Sequence, residues 1–266
     1  MKQFSFNQKC VLITGASSGI GEALSQKIAS QASHLILVAR NVEKLKTLQK
    51  KLENQLKVSV YQLDLCDFSA IDDFAREMKN QHLSIDVLIH NAGISQRSLA
   101  KETSEETELK IWNTNYFGPV RLTKKLLVLM PAKPSKIVVI SSIVGVFGYP
   151  FRSTYSATKH ALKGYFESLA LEEKSNGLEV HFVLPGRVRT DISKKALRGD
   201  GQHHDKMDEG QAIGISAERC ADDIVKAVNR GKVKVLIGGK ELLMVKLYSI
   251  FPNVFKNIAL KELKNG

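Results

Sequence analysis

A tyrosine and a lysine four positions apart, Tyr155 and Lys159, are the pair in this sequence best suited to acid–base chemistry. Residues at this spacing share one face of a helix, so the phenol and the ammonium group lie side by side. A neighbouring cation stabilises a phenolate and lowers the pKa of a tyrosine from its ordinary value of about 10. Ser142, thirteen positions before Tyr155, adds a hydroxyl group. Together these residue types predict proton transfer to or from a carbonyl or alcohol oxygen.

The elements that position these residues alternate between apolar strands and amphipathic helices. Strands are predicted at 9–14, 34–39, 58–63, 85–89, 136–140, 179–184 and 232–237. Helices are predicted at 22–31, 42–55, 69–81, 105–130, 153–174 and 217–228, with a kink near Asn115 because Asn suits helix interiors poorly and Pro119 follows. We therefore predict an α/β fold, with a Rossmann-type doubly wound parallel sheet of about seven strands and helices on both faces, in a single domain spanning 1–266.

A glycine-rich turn joins the first predicted strand to the first helix, with the spacing Gly-x-x-x-Gly-x-Gly. Glycines let the backbone approach a phosphate closely, and the free amides at a helix start favour negative charge. The turn therefore predicts a site for the pyrophosphate of a dinucleotide. Its expected contacts are Gly15, Ser17, Ser18, Gly19, Ile20 and Gly21.

Two charged residues follow the next two strands. Arg40 lies about twenty residues after the glycine turn, where NAD-binding folds carry an acidic side chain and a basic one accommodates the 2′-phosphate of NADP. We therefore expect NADP(H) to be favoured over NAD(H). Asp64, followed by Leu65, closes the third strand, and two roles remain open for it: a contact with the adenine amino group, or the N-cap of the helix that follows.

The overall composition narrows the possible partners. The 39 Lys and Arg against 27 Asp and Glu give a formal charge of +12, which favours cofactor phosphates, an acidic carrier protein, a membrane surface or nucleic acid. Nucleic acid is not expected as the main partner, because no RNP, zinc-finger or helix-turn-helix motif is present. The three cysteines are widely spaced, so we expect no disulfide framework, no metal site and a cytoplasmic location. No signal peptide or membrane-spanning segment is expected.

Two segments follow the sixth strand and differ from the alternating pattern. Residues 190–212 are polar, charged and glycine-bearing, which predicts a flap over a substrate site. Residues 240–266 form a basic amphipathic extension that Pro252 divides into two helical pieces. This tail has three open roles, which are a cover for the pocket, a subunit interface and a peripheral contact with an anionic membrane. We favour the first two.

The order and spacing of these motifs resemble the short-chain dehydrogenase/reductase family, from position 9 to about 237. The signatures are Thr14 with Gly15, Gly19 and Gly21, then Asp64, Asn91-Ala92-Gly93, Asn115, Ser142 with Tyr155 and Lys159, and Pro185-Gly186 with Thr190. A finer likeness, in Phe151-Arg152-Ser153 and in the tail from Lys234, points to the dehydrogenase/reductase member 7 group and its bacterial relatives. One departure is His90, which stands where the family often has Asn, and we interpret it as a packing or hydrogen-bonding residue.

The resemblance implies a role for each catalytic candidate. Tyr155 would protonate the carbonyl oxygen as hydride arrives and act as the base in reverse. Lys159 would hold the nicotinamide ribose and lower the pKa of the phenol, Ser142 would bond the substrate oxygen, and Asn115 would hold a water that relays protons to Lys159. The remaining implied cofactor contacts are Asn91, Ala92, Gly93, Pro185, Gly186, Val188 and Thr190, beside Tyr155 and Lys159.

The function predicted from these residues is NADPH-dependent oxidoreduction between an alcohol and a lipophilic ketone or aldehyde. A first alternative is reduction of a 3-oxoacyl thioester on an acyl carrier protein, suggested by Arg187, Arg189 and the charge of +12. A second alternative, of another class, is a non-catalytic NADP-binding sensor or scaffold. The helices at 105–130 and 153–174 are the usual pairing surfaces of the family, so we expect a homodimer or homotetramer.

Overall fold

The computed structural model describes residues 4–132 and 134–265. Its strands are β1 (Cys10–Thr14), β2 (His34–Ala39), β3 (Lys57–Gln62), β4 (Val87–His90), β5 (Ser135–Ile140), β6 (Leu178–Pro185), β7 (Val188–Arg189), β8 (Ile215–Ser216) and β9 (Lys234–Ile237). Its α-helices are α1 (Gly19–Ala29), α2 (Val42–Leu52), α3 (Phe68–Asn80), α4 (Glu105–Trp112), α5 (Gly118–Leu126), α6 (Ser153–Glu172), α7 (Glu209–Ala212), α8 (Ala217–Asn229), α9 (Leu243–Ile250) and α10 (Pro252–Asn265).

The main sheet has seven parallel strands in the order β3-β2-β1-β4-β5-β6-β9. The chain starts at β1 in the centre, winds outward to β3, and returns to β4 on the other side of β1. This reversal opens a crevice at the carboxyl ends of β1 and β4, which is where open α/β sheets bind ligands. The predicted α/β fold with a doubly wound parallel sheet is confirmed.

Both faces of the sheet are buried under helices. Along β1, Val11 and Ile13 belong to the core layer that includes α1 and α8, while Leu12 belongs to the opposite layer with α3 and α6. Successive side chains of a strand point to opposite faces. Because both faces are covered, the strands carry nearly continuous apolar runs rather than an alternating pattern.

The start of α3 differs from one of the two roles that the sequence leaves open for Asp64. The N-cap of α3 is Asp67, whose carboxylate accepts a hydrogen bond from the backbone N–H of Ala70 at 2.9 Å. Asp64 instead accepts from the N–H of Cys66 at 3.0 Å, within the turn before the helix. The interpretation of Asp64 as the helix cap is therefore wrong, because three further residues separate it from the helical amides.

The helical region predicted at 105–130 is interrupted where the sequence predicts a kink. A π-helical turn, Asn113–Phe117, separates α4 from α5. Such turns widen a helix by one residue and are a recognised cause of kinks. Pro119 lies in the first turn of α5, directly after the π turn. The π turn points the buried Asn115 side chain at the segment that follows β4.

After β6 the chain leaves the main sheet twice. Residues 190–214 lie between the short strands β7 and β8, which pair in parallel.

In the C-terminal tail, Pro252 separates α9 from α10, as predicted. The inner side chains of this tail, Val245, Phe255 and Ala259, pack against Ile143 and Phe147 of the loop after β5. Within the described residues no helix is both long and apolar enough to cross a membrane.

Candidate active site

A cleft of about 1550 Å³ lies at the carboxyl ends of the central strands. It is larger than the roughly 300–1,000 Å³ of most small-ligand pockets, so it has room for an extended dinucleotide and a second molecule. The predicted site residues that line it are Gly15, Ser17, Ser18, Gly19, Ile20, Arg40, Asp64, Leu65, Asn91, Ala92, Gly93, Ser142, Tyr155, Lys159, Pro185, Gly186, Val188 and Thr190. Gly21 and Asn115 are not in this lining.

The glycine turn between β1 and α1 has the form of a phosphate cradle. Gly15 and Gly19 have φ angles of +66° and +58°, which side-chain-bearing residues rarely adopt. A Cβ on Gly15 would lie 2.8 Å from the Cα of Ala92. Ser18, the N-cap of α1, makes no side-chain capping bond, so the first amides of the helix stay available to an anion.

Gly21 has a packing role rather than a position in the cleft. It is buried, and a Cβ there would lie 2.3 Å from the carbonyl oxygen of Gly15. Only glycine lets the start of α1 approach the turn so closely. The expectation of a direct cofactor contact from Gly21 is therefore corrected, because the residue lies behind the turn.

Asn91 braces the glycine turn from the neighbouring strand. Its Nδ2 donates to the carbonyl oxygens of Thr14 and Gly15, each at 3.1 Å. In return, Thr14 Oγ1 accepts from the backbone N–H groups of Asn91 and Ala92, also at 3.1 Å. These bonds join the ends of β1 and β4, the strands that flank the crevice. They fix the position of the glycine turn relative to the segment that follows β4.

Tyr155 lies in the first turn of α6 and is 8% exposed. Burial raises the pKa of its phenol, and two neighbours oppose that rise: the Arg152 guanidinium and a hydrogen bond with the Ser142 side chain. Ser142 follows the end of β5, so the sheet and the helix each contribute one member of the hydroxyl pair. This geometry suits transfer of a proton to an oxygen held between the two groups.

Lys159 lies one turn further along α6 and is 4% exposed. Its Nζ is 5.6 Å from the centre of the Tyr155 ring and donates a hydrogen bond to the carbonyl oxygen of Ile140 at 3.0 Å. Burial lowers the pKa of the amine to about 8.

Asn115 is fully buried beneath the cleft. Its Oδ1 accepts from the N–H of Ile94, and its Nδ2 donates to the Ile94 carbonyl, both at 2.9 Å. Nδ2 also donates to Thr158 Oγ1 at 3.2 Å. The side chain thus ties the π turn to α6 between Tyr155 and Lys159. Its role in a water relay stays a prediction.

Gln96, which the sequence analysis missed, holds the first turn of α6. Its Oε1 accepts from the backbone N–H groups of Thr154 at 2.8 Å and Tyr155 at 3.2 Å, the two amides that a capping side chain usually satisfies. Its Nε2, which carries two hydrogens, lies within 3.2 Å of three hydroxyls, those of Ser98, Thr103 and Ser153. The residue is fully buried, yet it lies almost sixty positions from the amides it caps, so no local pattern reveals it.

His90 occupies the end of β4 and does not line the cleft. Its Nε2 is 2.6 Å from Thr123 Oγ1, and its ring packs against Phe166 with centroids 5.4 Å apart. Complete burial lowers its pKa to about 3, so the ring is neutral at physiological pH. This placement agrees with its interpretation as a packing and hydrogen-bonding residue. Among the described residues, no group of three or more His, Cys, Asp or Glu is arranged to hold a metal ion.

Comparison with known proteins identifies relatives over almost the whole chain. A family model described as short chain dehydrogenase matches residues 9–200. A curated relative, dehydrogenase/reductase SDR family member 7B of Xenopus laevis, is 37% identical over 264 residues, which cover 96% of this chain and 81% of the relative.

Solved structures with the same fold carry both kinds of nicotinamide cofactor. A short-chain dehydrogenase from Sphingobium yanoikuyae, in complex with NADPH, is 27% identical with a TM-score of 0.72, and the match covers 86% of this chain and 87% of that one. A short chain dehydrogenase/reductase from Burkholderia phymatum, in complex with NAD, is 20% identical with a TM-score of 0.81, over 94% and 96% of the two chains. At that identity the second structure supports the fold alone.

Proposed function

This chain belongs to the short-chain dehydrogenase/reductase family, and on that premise we propose that it interconverts a carbonyl compound and an alcohol with NADP(H). The observation that carries the proposal is the convergence of Ser142, Tyr155 and Lys159 in one wall of the cleft. The other end of the same cleft carries the glycine cradle, so a dinucleotide bound there would extend toward the phenol.

The protein residues in this proposal manage the proton, while a bound nicotinamide supplies or accepts the hydride. In the reducing direction, Tyr155 donates its proton to the carbonyl oxygen and Ser142 donates a hydrogen bond to the same oxygen. In the oxidising direction, Tyr155 takes the proton of the alcohol. Lys159 has N–H groups beyond the one bonded to Ile140, and these would hold the ribose hydroxyls of a bound cofactor.

The experiment that tests the proposal measures consumption of NADPH with a panel of lipophilic ketones and aldehydes and a 3-oxoacyl thioester. Tyr155→Phe should keep NADPH affinity within about twofold and lose about 10²- to 10⁴-fold in kcat, the usual contribution of a general acid. A wild-type protein that binds NADPH but oxidises it with no carbonyl would contradict catalysis and favour the sensor alternative.

The preference for NADP(H) rests on Arg40. The residue is exposed where β2 ends and lines the mouth of the cleft, while the carboxylate of Asp64 follows the next strand of the sheet. Arg40→Asp should weaken NADPH binding at least tenfold and leave NADH binding little changed, because only NADPH carries the 2′-phosphate. Arg230→Asp, at the far end of α8, is the matched control. Equal losses for both cofactors would refute the role of Arg40.

The acyl-carrier alternative has weaker support. Arg187 lines the cleft, whereas Arg189 is exposed outside its lining. If an acidic carrier docks here, Arg187→Glu should raise KM for a carrier-bound 3-oxoacyl substrate much more than for the same acyl group on a short thiol. A uniform change with both substrates would count against a carrier.

We propose that the chain pairs with a second copy through the surface of α4 to α6. Leu109, Phe117 and Leu171 are 52%, 46% and 76% exposed on these elements. Burial of such side chains is favourable in a subunit interface. Light scattering after size exclusion should give a dimer or tetramer for the wild type and a smaller species for Leu109→Glu with Leu171→Glu.

We propose that the tail, α9 and α10, covers one side of the substrate end of the cleft. Met244 lines the cleft, and Glu241 accepts hydrogen bonds from the backbone N–H groups of Arg187 at 2.8 Å and Gly239 at 2.9 Å. The tail also exposes apolar side chains on its outer side, since Phe251 and Val254 are 58% and 49% exposed. These side chains suit a peripheral membrane contact as an additional role of the tail. Flotation with neutral and anionic vesicles tests that contact. It compares the wild type with a double variant that carries both Phe251→Ser and Val254→Ser.

A further inference from the structure

The first turn of α6, which carries Tyr155, has no cap from its own sequence. The N-cap residue is Arg152, whose side chain makes no capping bond, since a guanidinium has donors but no acceptor. The first intrahelical bond is donated by the N–H of Ser156 to the carbonyl oxygen of Arg152, at 2.7 Å. The N–H groups before Ser156 have no partner within the helix, so they need an acceptor from another part of the chain.

Gln96 supplies that acceptor from the segment after β4. Its Oε1 accepts from the N–H groups of Thr154 at 2.8 Å and of Tyr155 at 3.2 Å. Its backbone carbonyl accepts from the guanidinium of Arg152, so the side chain and the main chain of one residue both hold the start of α6. The two amide contacts are buried. Loss of the Gln96 oxygen would therefore leave two buried donors without a partner, which is costly.

The segment that carries this acceptor is itself held on both sides. Asn115 bonds the N–H and the carbonyl of Ile94, each at 2.9 Å. The N–H of Leu197 donates to the carbonyl of Ser95 at 2.8 Å, and the N–H of Arg97 donates to the carbonyl of Leu197 at 2.7 Å. Leu197 is 1% exposed and packs in a cluster with Ile94. The capping oxygen therefore projects from a fixed point, as the support of a reactive group must.

Lys159 anchors the same helix one turn further on. Its Nζ donates to the carbonyl of Ile140, the last residue of β5 and two positions before Ser142. The helix is thus tied to β5 at Lys159 and to the segment after β4 at its first turn. Tyr155 lies in that first turn, so the distance between its phenol and Ser142 depends on the bond with Gln96. A misplacement of about 1 Å can lower a reaction rate about 100-fold.

We propose that Gln96 is a positioning residue: by capping the amides of Thr154 and Tyr155, it holds the phenol where a proton can pass to an oxygen bonded by Ser142. The inference rests on the proposed function, because it explains how the acid–base group of that reaction is kept in place. Gln96 is not in the lining of the cleft, so it acts through the helix and not on the substrate. Loss of the cap should lower kcat and leave NADPH binding, at the other end of the cleft, almost unchanged.

The experiment compares three variants with the wild type. Gln96→Met keeps a side chain of similar length but removes the acceptor, whereas Gln96→Glu keeps an acceptor oxygen. Asp67→Ala removes the cap of α3, outside the lining of the cleft, and is the matched control. Gln96→Met should lower kcat about 10- to 100-fold, while the Kd for NADPH stays within about twofold. Gln96→Glu, measured at its own optimum pH, should recover most of kcat, and Asp67→Ala should keep the wild-type value within about twofold.

Two NMR measurements on the same variants need no turnover. Hydrogen exchange at the amides of Thr154 and Tyr155 should become about 3- to 10-fold faster in Gln96→Met and return toward the wild-type rate in Gln96→Glu. The ring signals of Tyr155, assigned by their loss in Tyr155→Phe, should move in Gln96→Met and stay in place in Asp67→Ala. If the wild type reduces no carbonyl, the proposed function fails, and these measurements still decide whether Gln96 fixes the position of Tyr155.

Four outcomes would overturn the proposal. They are a wild-type kcat in folded Gln96→Met, unchanged exchange at both amides in that variant, no recovery of kcat in Gln96→Glu, and an equal loss of kcat in Asp67→Ala. A merely structural role would lower stability in Gln96→Met and Asp67→Ala alike, without the selective loss of kcat. If Gln96→Met does not fold, Gln96→Asn replaces it with the same expectations, because its shorter side chain keeps the amide group but does not reach both N–H groups.

Discussion

The two ends of the cleft are built in different ways. The end where we propose that the dinucleotide binds, which we call the cofactor end, consists of β1, β2 and β4, whose strands are buried on both faces, and of turns held by backbone geometry. The other end, where we propose that the substrate binds and which we call the substrate end, is bordered by residues 190–212 and the tail. These segments are held by charged side chains such as Arg152 and Asp208 and by a small apolar cluster around Phe147.

This difference in construction suits two tasks, binding of a constant cofactor at one end and selection of the substrate at the other. Backbone amides and tight glycine turns suit a ligand that never changes, because their positions tolerate almost no substitution. Side chains on loops can be replaced without disturbing the sheet, so they suit a varying substrate. We therefore expect substitutions at the cofactor end to alter affinity and stability strongly, and those at the substrate end to alter KM and pH dependence.

The largest effect is expected at the glycine turn. Gly15→Ala should weaken NADPH binding about 10- to 100-fold, because a positive φ costs a side-chain-bearing residue about 1–3 kcal/mol and the new Cβ meets the Ala92 backbone at 2.8 Å. Calorimetric titration with NADPH measures the change. Affinity equal to that of the wild type would mean that the turn does not hold the phosphates.

The next largest effect is the loss of folding stability in acid, and it involves His90 at the end of β4. The pKa of His90 is about 3 in the folded state and 6.5 in the unfolded state, so the unfolded state takes up a proton first as pH falls. His90 therefore supports stability above pH 6.5 and progressively less below it, with a loss of about 2 kcal/mol at pH 5. His34 and His181 act in the same direction.

His90→Asn should flatten this pH dependence, measured as the free energy of unfolding in urea between pH 7 and pH 5. The slope is the relevant quantity, since loss of the contact with Phe166 changes stability at every pH. His204→Asn in the flap is the control and should change the slope less, because His204 remains partly exposed. An unaltered slope in His90→Asn would show that His90 does not carry the acid sensitivity.

A smaller effect is expected at the substrate end. Asp208→Ala removes the carboxylate that joins the flap to Arg152, and partly exposed ion pairs contribute about 1 kcal/mol or less. KM for the carbonyl substrate should rise about three- to fivefold, while the Kd for NADPH stays within about twofold. A larger loss of NADPH affinity than of substrate affinity would remove the distinction between the two ends.

The smallest effect serves as the matched control for the glycine turn. Gly164 lies exposed within α6, and a Cβ there would meet no atom within 4 Å. Gly164→Ala should raise the free energy of unfolding by about 0.5–1 kcal/mol, because alanine loses less backbone freedom in a helix. Thermal unfolding measures it. NADPH affinity should not change, in contrast to Gly15→Ala.

The parallel sheet, the glycine turn and the shared helix face of Tyr155 and Lys159, the proposed catalytic pair, could all be predicted from the sequence. Buried strands such as β2 carry continuous apolar runs, the turn between β1 and α1 requires glycines, and Tyr155 and Lys159 share one helix face. These features depend on neighbours a few positions apart, so periodicity and residue type reveal them. The interruption of the helix at Asn115 was also predictable, although its π-helical form was not.

The contacts that hold this pair in place become visible only in the folded chain. Gln96 caps the amides of α6 from a segment almost sixty positions away, and Asp208 reaches Arg152 from the flap. The structure also moved the cap of α3 from Asp64 to Asp67 and placed Gly21 behind the turn. Hydrogen bonds and ion pairs between distant segments leave no periodic trace in a sequence, because chain folding alone brings their partners together. Burial, which also depends on the whole fold, lowers the pKa of the Lys159 amine to about 8.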